Sequence, residues 1–140
     1  MWNGWLNQTA LPALEQTTVF AQRRHLLLAG NIANLDTPGY QTRDLSVAEF
    51  QNALKEVVEA QQARSSMPGS ASSPHHTLPE AVERTRDVTK QVLYHDGSDV
   101  SLEEQVAEIS KNQAMHDMAV ALMRSQFQTL NMAIRESVNV

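Results

Sequence analysis

An uninterrupted helical pattern in the last third of the chain constrains its fold more than any other feature. Apolar residues recur there at alternating steps of four and three, and neither proline nor glycine occurs after Gly97. Such a stripe, sustained over several heptads, predicts a coiled-coil-like helix about 55 Å long. Ser101 and Glu104 have the spacing of a capping box at its start. The stripe consists of Leu102, Val106, Ile109, Val120, Met123, Phe127, Leu130 and Ile134, with Gln113 and His116 at two further positions.

A second stripe with the same spacing begins near the other end of the chain. Pro12 would lie in the first turn of this helix, where a missing N–H is tolerated, and the helix would be about 40 Å long. Because each end of the chain carries one stripe, we expect the two helices to pair along their stripes as an antiparallel hairpin. The N-terminal stripe consists of Leu11, Leu14, Ala21, Leu28, Ile32 and Leu35, with Thr18 and His25 as polar positions within it.

A Pro-Gly pair ends the first helix. Pro38 disfavours helical geometry at Thr37, and Pro38-Gly39 suits the two central positions of a type II turn. A shorter second helix is predicted from about Val47 to Gln62, with Ser46 and Glu49 at capping-box spacing.

The middle of the chain has a different composition. Residues 64–80 are rich in Ser, Pro and Gly, which predicts a mobile loop, and residues 81–95 permit a short helix, an extended piece, or both. The predicted fold class is therefore all-α, with long N- and C-terminal helices paired as a coiled-coil-like hairpin and a short helix and irregular loop between them. It divides into an N-terminal assembly helix (1–36), a central region (37–100) and a C-terminal assembly helix (101–140).

Composition argues against several classes of function. A formal net charge of −5 is unfavourable for a nucleic-acid-binding protein, and the one tight basic cluster, Arg23-Arg24-His25, is interpreted as a solvated face. Glu108 is interpreted in the same way. The absence of cysteine excludes disulfides and thiolate chemistry. No nucleophile elbow, phosphate loop or zinc motif occurs. We therefore predict no enzymatic activity, no catalytic or metal-binding residues and no cofactor.

Targeting signals are also missing from the sequence. The start lacks a basic region followed by an apolar one, and the apolar run Leu26–Gly30 is far too short to span a membrane. The chain is expected to carry no cleaved signal peptide and no direct membrane span.

The two long helices carry more apolar surface than a pair of helices can bury. Residues beside the stripes, such as Met118, Leu122 and Met132 on one helix and Leu26 on the other, widen the apolar faces. Exposed apolar faces of this size mark interaction surfaces. We infer that neighbouring copies or partner subunits cover them, and that an isolated molecule is poorly ordered at both ends.

The segment that ends the first helix reads Asn31-Ile32-Ala33-Asn34-Leu35-Asp36-Thr37-Pro38-Gly39-Tyr40. It resembles a motif of the flagellar axial proteins, the rod, hook and related subunits. The motif reads Asn-x-Ala-Asn-x-x-Thr-Pro-Gly-Tyr, and every element of it is present. Its residues here are Asn31, Ala33, Asn34, Thr37, Pro38, Gly39 and Tyr40.

Within that group the chain is most similar to the basal-body rod family, and to its proximal rod subunits in particular. The short length supports this, as do the second helix directly after the motif and the segment Asp96–Val100 before the Leu-Glu-Glu start of the last helix. The family usually has Asn where this chain has Ser98.

This resemblance implies a structural role in the bacterial flagellum. Such subunits pass unfolded through the type III export apparatus without a cleaved signal and polymerise into the periplasmic rod. Their terminal helices line the export channel, the motif region contacts adjacent subunits, and the rod transmits torque for motility. The implied partners are copies of the same chain, other rod proteins, the rod-to-ring adaptor and the membrane ring. The alternatives are another axial subunit, such as a sister rod protein, or a soluble helical adaptor or export chaperone.

Overall fold

The structure, a computed structural model, describes residues 9–66, 89–91 and 102–138, and these residues are mostly helical. Five elements follow one another along the described parts of the chain. They are α1 (Leu11–Ala33), β1 (Arg43–Leu45), α2 (Val47–Ser66), β2 (Thr89–Gln91) and α3 (Leu102–Val138). With 37 residues, α3 is about 55 Å long. The predicted all-α fold with two long terminal helices is confirmed.

The two long helices pair in antiparallel fashion, as predicted. Three contacts define the register, and in them the residue numbers rise along α1 while they fall along α3. Ala21 contacts Asn112, Arg24 contacts Glu108, and Asn31 contacts Gln105. Continued at the same rate, this register brings Leu11 level with about residue 123. The last four turns or so of α3 therefore extend past the first residue of α1.

After α1 ends, the chain turns at the Pro38-Gly39 pair. Asn34 caps the helix, and the amide of Tyr40 donates to the carbonyl of Thr37 at 3.1 Å. Gly39 has a φ of 76°, which only glycine adopts at no steric cost. The positive φ and the turn hydrogen bond fit the predicted type II turn.

Helix α2 packs against α1 through a stacked aromatic pair. Ser46 caps α2 by accepting a hydrogen bond from the Glu49 amide at 3.3 Å, in agreement with the predicted start. One turn further on, the ring of Phe50 stacks on Phe20 with centroids 4.1 Å apart. Leu45 completes this buried cluster, and Leu27, Val47, Leu54 and Met115 surround it. The cluster therefore fixes α2 and β1 against the helix pair.

Two details of the central region differ from the prediction. Residues 64–66, assigned to the loop, form the last turn of α2. The helix continues through them because the strong helix breakers, Pro68 and Gly69, come only afterwards. The second detail is that the extended piece permitted at residues 81–95 pairs, at 89–91, with a strand at 43–45 that was not predicted. In this antiparallel pair Arg43 lies opposite Gln91 and Leu45 opposite Thr89. The rest of the predicted loop, the turn at 96–98 and the cap at Ser101 lie outside the described residues.

No helix in the described part of the chain is both long and apolar enough to cross a membrane.

Candidate assembly interface

The seam between α1 and α3 is unusually polar. Four of its side chains are polar or charged and nearly inaccessible to solvent: Arg24 is 5% exposed, Asn31 1%, Gln105 5% and Asn112 2%. Its buried apolar members are few, and two of the three are small: Ala21, Leu28 and Ala119. Buried polar groups are tolerated only when they are hydrogen-bonded, so the seam depends on specific contacts.

Arg24 is the centre of a buried ion cluster that joins three segments. Its Nε donates to Asp44 Oδ1 at 2.7 Å, and its Nη2 donates to Asp44 Oδ2 at 2.6 Å. The same Nη2 donates to Glu108 Oε2 at 2.7 Å. One guanidinium therefore holds β1 with two hydrogen bonds and α3 with a third. Paired, charge-assisted bonds of this kind fix geometry as well as adding energy.

The ionisation of the cluster follows from these contacts. The hydrogen bond from Lys111 and the one from Arg24 hold the pKa of Glu108 below its usual value, although partial burial opposes them. The hydrogen bond to Asp44 is the main reason that the pKa of Arg24 is raised, and Glu108 adds to this effect. Arg24 and Glu108 therefore stabilise each other's charged forms, with Lys111 on the outer side of Glu108 at 2.6 Å.

Asn31, the first asparagine of the motif, makes all the hydrogen bonds that its side chain can form. Asn31 Nδ2 donates to the carbonyl of Arg43 at 2.7 Å and to Gln105 Oε1 at 3.1 Å. Its Oδ1 accepts from the amide of Arg43 at 3.0 Å and from the Tyr40 hydroxyl at 3.2 Å. An amide side chain offers two donors and two lone pairs, so no capacity is left over. Asn31 therefore ties the end of α1 to the turn, to β1 and to α3.

The remaining motif residues shape the turn. Asn34 Nδ2 donates to the carbonyl of Gly30 at 2.8 Å, and the Asn34 carbonyl accepts from the Thr37 amide at 2.9 Å. Ala33, Thr37, Pro38 and Gly39 are exposed, whereas Tyr40 is half-buried. The motif thus combines a buried anchor with a solvent-facing turn.

Asn112 fixes the middle of the seam. Its Nδ2 donates to the backbone carbonyl of Ala21 at 2.7 Å. Its Oδ1 is buried without a hydrogen-bond partner among the described residues. An unsatisfied buried acceptor is costly, so the Oδ1 atom of Asn112 offsets part of the stability that its Nδ2 hydrogen bond contributes.

The α3 stripe lies beside the most buried line of the seam, and half of its apolar positions are exposed. Seam residues Gln105, Asn112 and Ala119 each precede a stripe position by one residue. The pattern counted only apolar residues, whereas the hydrogen bonds of Arg24 and Asn31 rotate a polar face of α3 inward. Of the stripe, Ile109, Val120, Met123 and Leu130 are half-buried, and Leu102, Val106, Phe127 and Ile134 are exposed.

The α1 stripe lies closer to its expected place. Ala21 and Leu28 are buried, whereas Leu11, Leu14, Ile32 and Leu35 are half-buried. Leu35 lies in the turn after α1, because the helix ends at Ala33 and not at the predicted residue 36. His25, expected in the seam, is exposed, and the preceding Arg24 is buried in its stead.

Sequence reasoning missed the ion cluster. Arg24 and Glu108 were both assigned to solvated faces, which was wrong for Arg24. A signal was present, since Arg24 lies three residues after Ala21 and four before Leu28, at a position of the buried face. Asp44, which is distant in sequence, carried no such signal.

Metal-ligand groupings are absent from the parts of the chain that the structure describes, since no three His, Asp or Glu side chains converge there.

The chain is similar to flagellar rod proteins over most of its length. It is 31% identical to the flagellar basal body rod protein FlgB of Salmonella typhimurium, over 80% of this chain and 82% of the relative. It is 29% identical to the proteins of the same name from Escherichia coli K12 and Shigella flexneri, over the same shares.

The chain belongs to the FlgB family of flagellar basal body rod proteins. No family model matches it. FlgB-family membership makes the chain a structural subunit of the flagellar rod and places it in the basal body. The resemblance inferred from the Asn31–Tyr40 motif is thereby confirmed. In this FlgB-family chain the motif residue Asn31 lies in the polar seam, which links the family's motif to the pairing of the terminal helices.

Proposed function

We propose that the chain is a subunit of the proximal rod and assembles through the apolar flanks of its two long helices. The assembly surface on α3 comprises the predicted stripe residues together with their exposed neighbours. On α1 it includes Leu26 and the half-buried stripe residues. The motif turn around Pro38 and Gly39 contacts an adjacent subunit.

One observation carries this proposal: the molecule buries polar side chains in its seam and leaves large apolar ones in water. Met118 is 65% exposed, Met132 63% and Leu26 68%. Val106, Leu122 and Phe127 are exposed as well. Burying one such side chain contributes about 1.5–3 kcal/mol, so several together provide a strong driving force for association.

The resemblance to the rod family supports a more detailed proposal about partners, export and torque. The chain polymerises with itself and with other rod proteins, and its terminal helices line the export channel. The assembled rod transmits torque and meets the rod-to-ring adaptor and the membrane ring. The export apparatus delivers the chain to the periplasm without a cleaved signal. Long helices in lateral contact suit this mechanical task, because many small side-chain contacts resist shear together.

The proposed role is purely structural, with no catalytic or metal-binding residues and no cofactor. The division into assembly helices 1–36 and 101–140 and a central region 37–100 remains a prediction. It is supported by two contacts between the central region and α1: Phe50 stacks on Phe20, and Asp44 forms a salt bridge with Arg24.

A paired substitution tests the proposal. Met118→Gln with Leu122→Gln makes an exposed apolar flank of α3 polar without touching the seam. We expect the melting temperature of the purified variant to stay within a few degrees of the parent, and rod assembly and swimming to be lost in cells that express only this variant. Asn52→Ala, at an exposed site on α2 outside the proposed assembly surface, should leave both unchanged. Normal swimming with the double variant would contradict the proposal.

A further inference from the structure

The composition of the seam is the reverse of what stability alone would select. Buried positions hold Arg24, Asn31, Gln105 and Asn112, although α3 has a longer apolar stripe one residue away. Polar groups in a helix seam commonly cost stability and specify register.

The apolar stripe of α3 cannot specify a register by itself. Its members repeat every seven residues, so that Val106, Gln113, Val120, Phe127 and Ile134 follow one another at that interval. If α3 slid by seven residues along a partner helix, most apolar contacts would be replaced by similar ones. A seam built from this stripe would therefore have several registers of comparable energy.

Two of the three polar contacts between α1 and α3 do not survive such a slide, whereas Asn112 would replace Gln105 opposite Asn31. Moving α3 by seven residues in one direction brings Met115 to the place of Glu108 and leaves Arg24 with only one carboxylate partner. The same slide brings Ala119 to the place of Asn112 and removes the hydrogen bond to the Ala21 carbonyl. Buried groups without partners make the shifted pairing unfavourable.

We propose that Arg24, Glu108 and Asn112 are register-positioning residues, which hold α1 and α3 in one antiparallel alignment and keep the apolar stripe turned outward. The unpaired Oδ1 of Asn112 fits this role, because a residue selected only for stability would not leave a buried acceptor unused. The claim about register concerns a single molecule. Its consequence, that every subunit presents the same apolar flank and the same length of protruding α3, rests on the proposed function.

A distance measurement in the dilute full-length protein tests the claim. The chain contains no cysteine, so Ala29→Cys and Ala121→Cys, both at exposed positions, accept spin labels selectively. The two positions are about four turns apart along the helix axis in the observed register, so a slide in either direction changes their separation. The parent should give one inter-label distance. A slide by seven residues changes the axial offset of the labels by about 10 Å.

The deciding variant is Asn112→Leu, because it removes a polar group without leaving a donor unpaired. We expect a second distance population, displaced along the axis by about 10 Å, while the melting temperature is unchanged or higher. Ser110→Leu, which adds the same side chain at an exposed position of α3, should keep the single distance. A single distance in Asn112→Leu would overturn the proposal, whether the melting temperature falls or not.

A second variant removes the ion cluster as a whole. Arg24→Leu, Asp44→Asn and Glu108→Leu together leave no buried charge unpaired, since Lys111 is exposed, and we expect the same second distance. If this variant loses its helical circular dichroism, the Asn112→Leu result decides alone. The Met118→Gln, Leu122→Gln protein should keep the single distance even though it fails to assemble. The two proposals can therefore fail separately.

Discussion

Arg24 holds Asp44 in a two-pronged salt bridge, with Nε–Oδ1 and Nη2–Oδ2 distances of 2.7 and 2.6 Å. The contact joins α1 to β1 across twenty residues of sequence, and Glu108 extends it to α3. Three segments that are separate in sequence therefore meet at one guanidinium. The contacts of that group hold α1, β1 and α3 together.

Removal of the guanidinium should destabilise the fold. Arg24→Leu leaves Asp44 without its cation and Glu108 with Lys111 alone, and we expect a loss of about 2 kcal/mol in the free energy of unfolding, since both carboxylates remain partly solvated. Urea denaturation followed by circular dichroism measures it. Arg124→Leu, at an exposed position on α3, is the matched control and should change little. Equal unfolding free energies of the two variants would show that the ion cluster does not stabilise the fold.

Acid should weaken the fold through Glu108. Lys111 and Arg24 lower the pKa of Glu108 below its ordinary value of 4.5. A lowered folded-state pKa gives stability that is present above the unfolded pKa and is lost as the pH falls through the folded value. We expect unfolding free energy to fall below about pH 4.5, and Glu108→Gln to flatten that decrease. Glu56→Gln, at an exposed site on α2, should retain the full decrease. An unchanged slope in Glu108→Gln would contradict this.

The motif asparagine should be sensitive to truncation. Asn31→Ala removes four hydrogen bonds and leaves both backbone groups of Arg43 without their side-chain partner. We expect a loss of about 3 kcal/mol in unfolding free energy. Asn52→Ala, at an exposed position on α2, should have little effect. Chemical denaturation of both variants measures the difference, and a loss no larger than that of the control would count against the anchoring role.

The two glycines near the motif should respond in opposite directions. Gly39→Ala forces an L side chain to adopt a φ of 76°, and should cost about 1 kcal/mol of unfolding free energy. Gly30→Ala lies inside α1, where a new Cβ would be 3.9 Å from the Tyr40 hydroxyl in ordinary contact. It should stabilise the chain by up to about 1 kcal/mol. Thermal unfolding of both variants tests the pair, and the reverse order would contradict the assigned turn.

Much of the fold was predictable because its signals are local. The starts of α1 and α2, the turn at Pro38-Gly39 and the course of α3 each depend on residues within a few positions of one another. Capping, ring constraints and apolar spacing act over that range, so sequence patterns report them directly.

The rotation of α3 was not predictable from its pattern. Whether Val106 or Gln105 faces α1 depends on Asn31, which lies more than seventy residues away and bonds the Gln105 side chain. Apolar periodicity treats a buried, fully bonded amide as a surface residue. The same limit explains why Arg24 and Asp44 were not recognised as partners.

The central claim is that single molecules leave apolar helix surface that neighbours must cover. It is tested most directly by residue-resolved amide hydrogen exchange, on dilute protein and on the assembled rod. An unsupported helical segment of some fifteen residues is marginal in water. In dilute protein we expect fast exchange in α3 after about residue 124 and protection around Asn112, with the end of α3 becoming protected on assembly. Strong protection at 124–138 in a dilute monomer that does not associate would contradict the account.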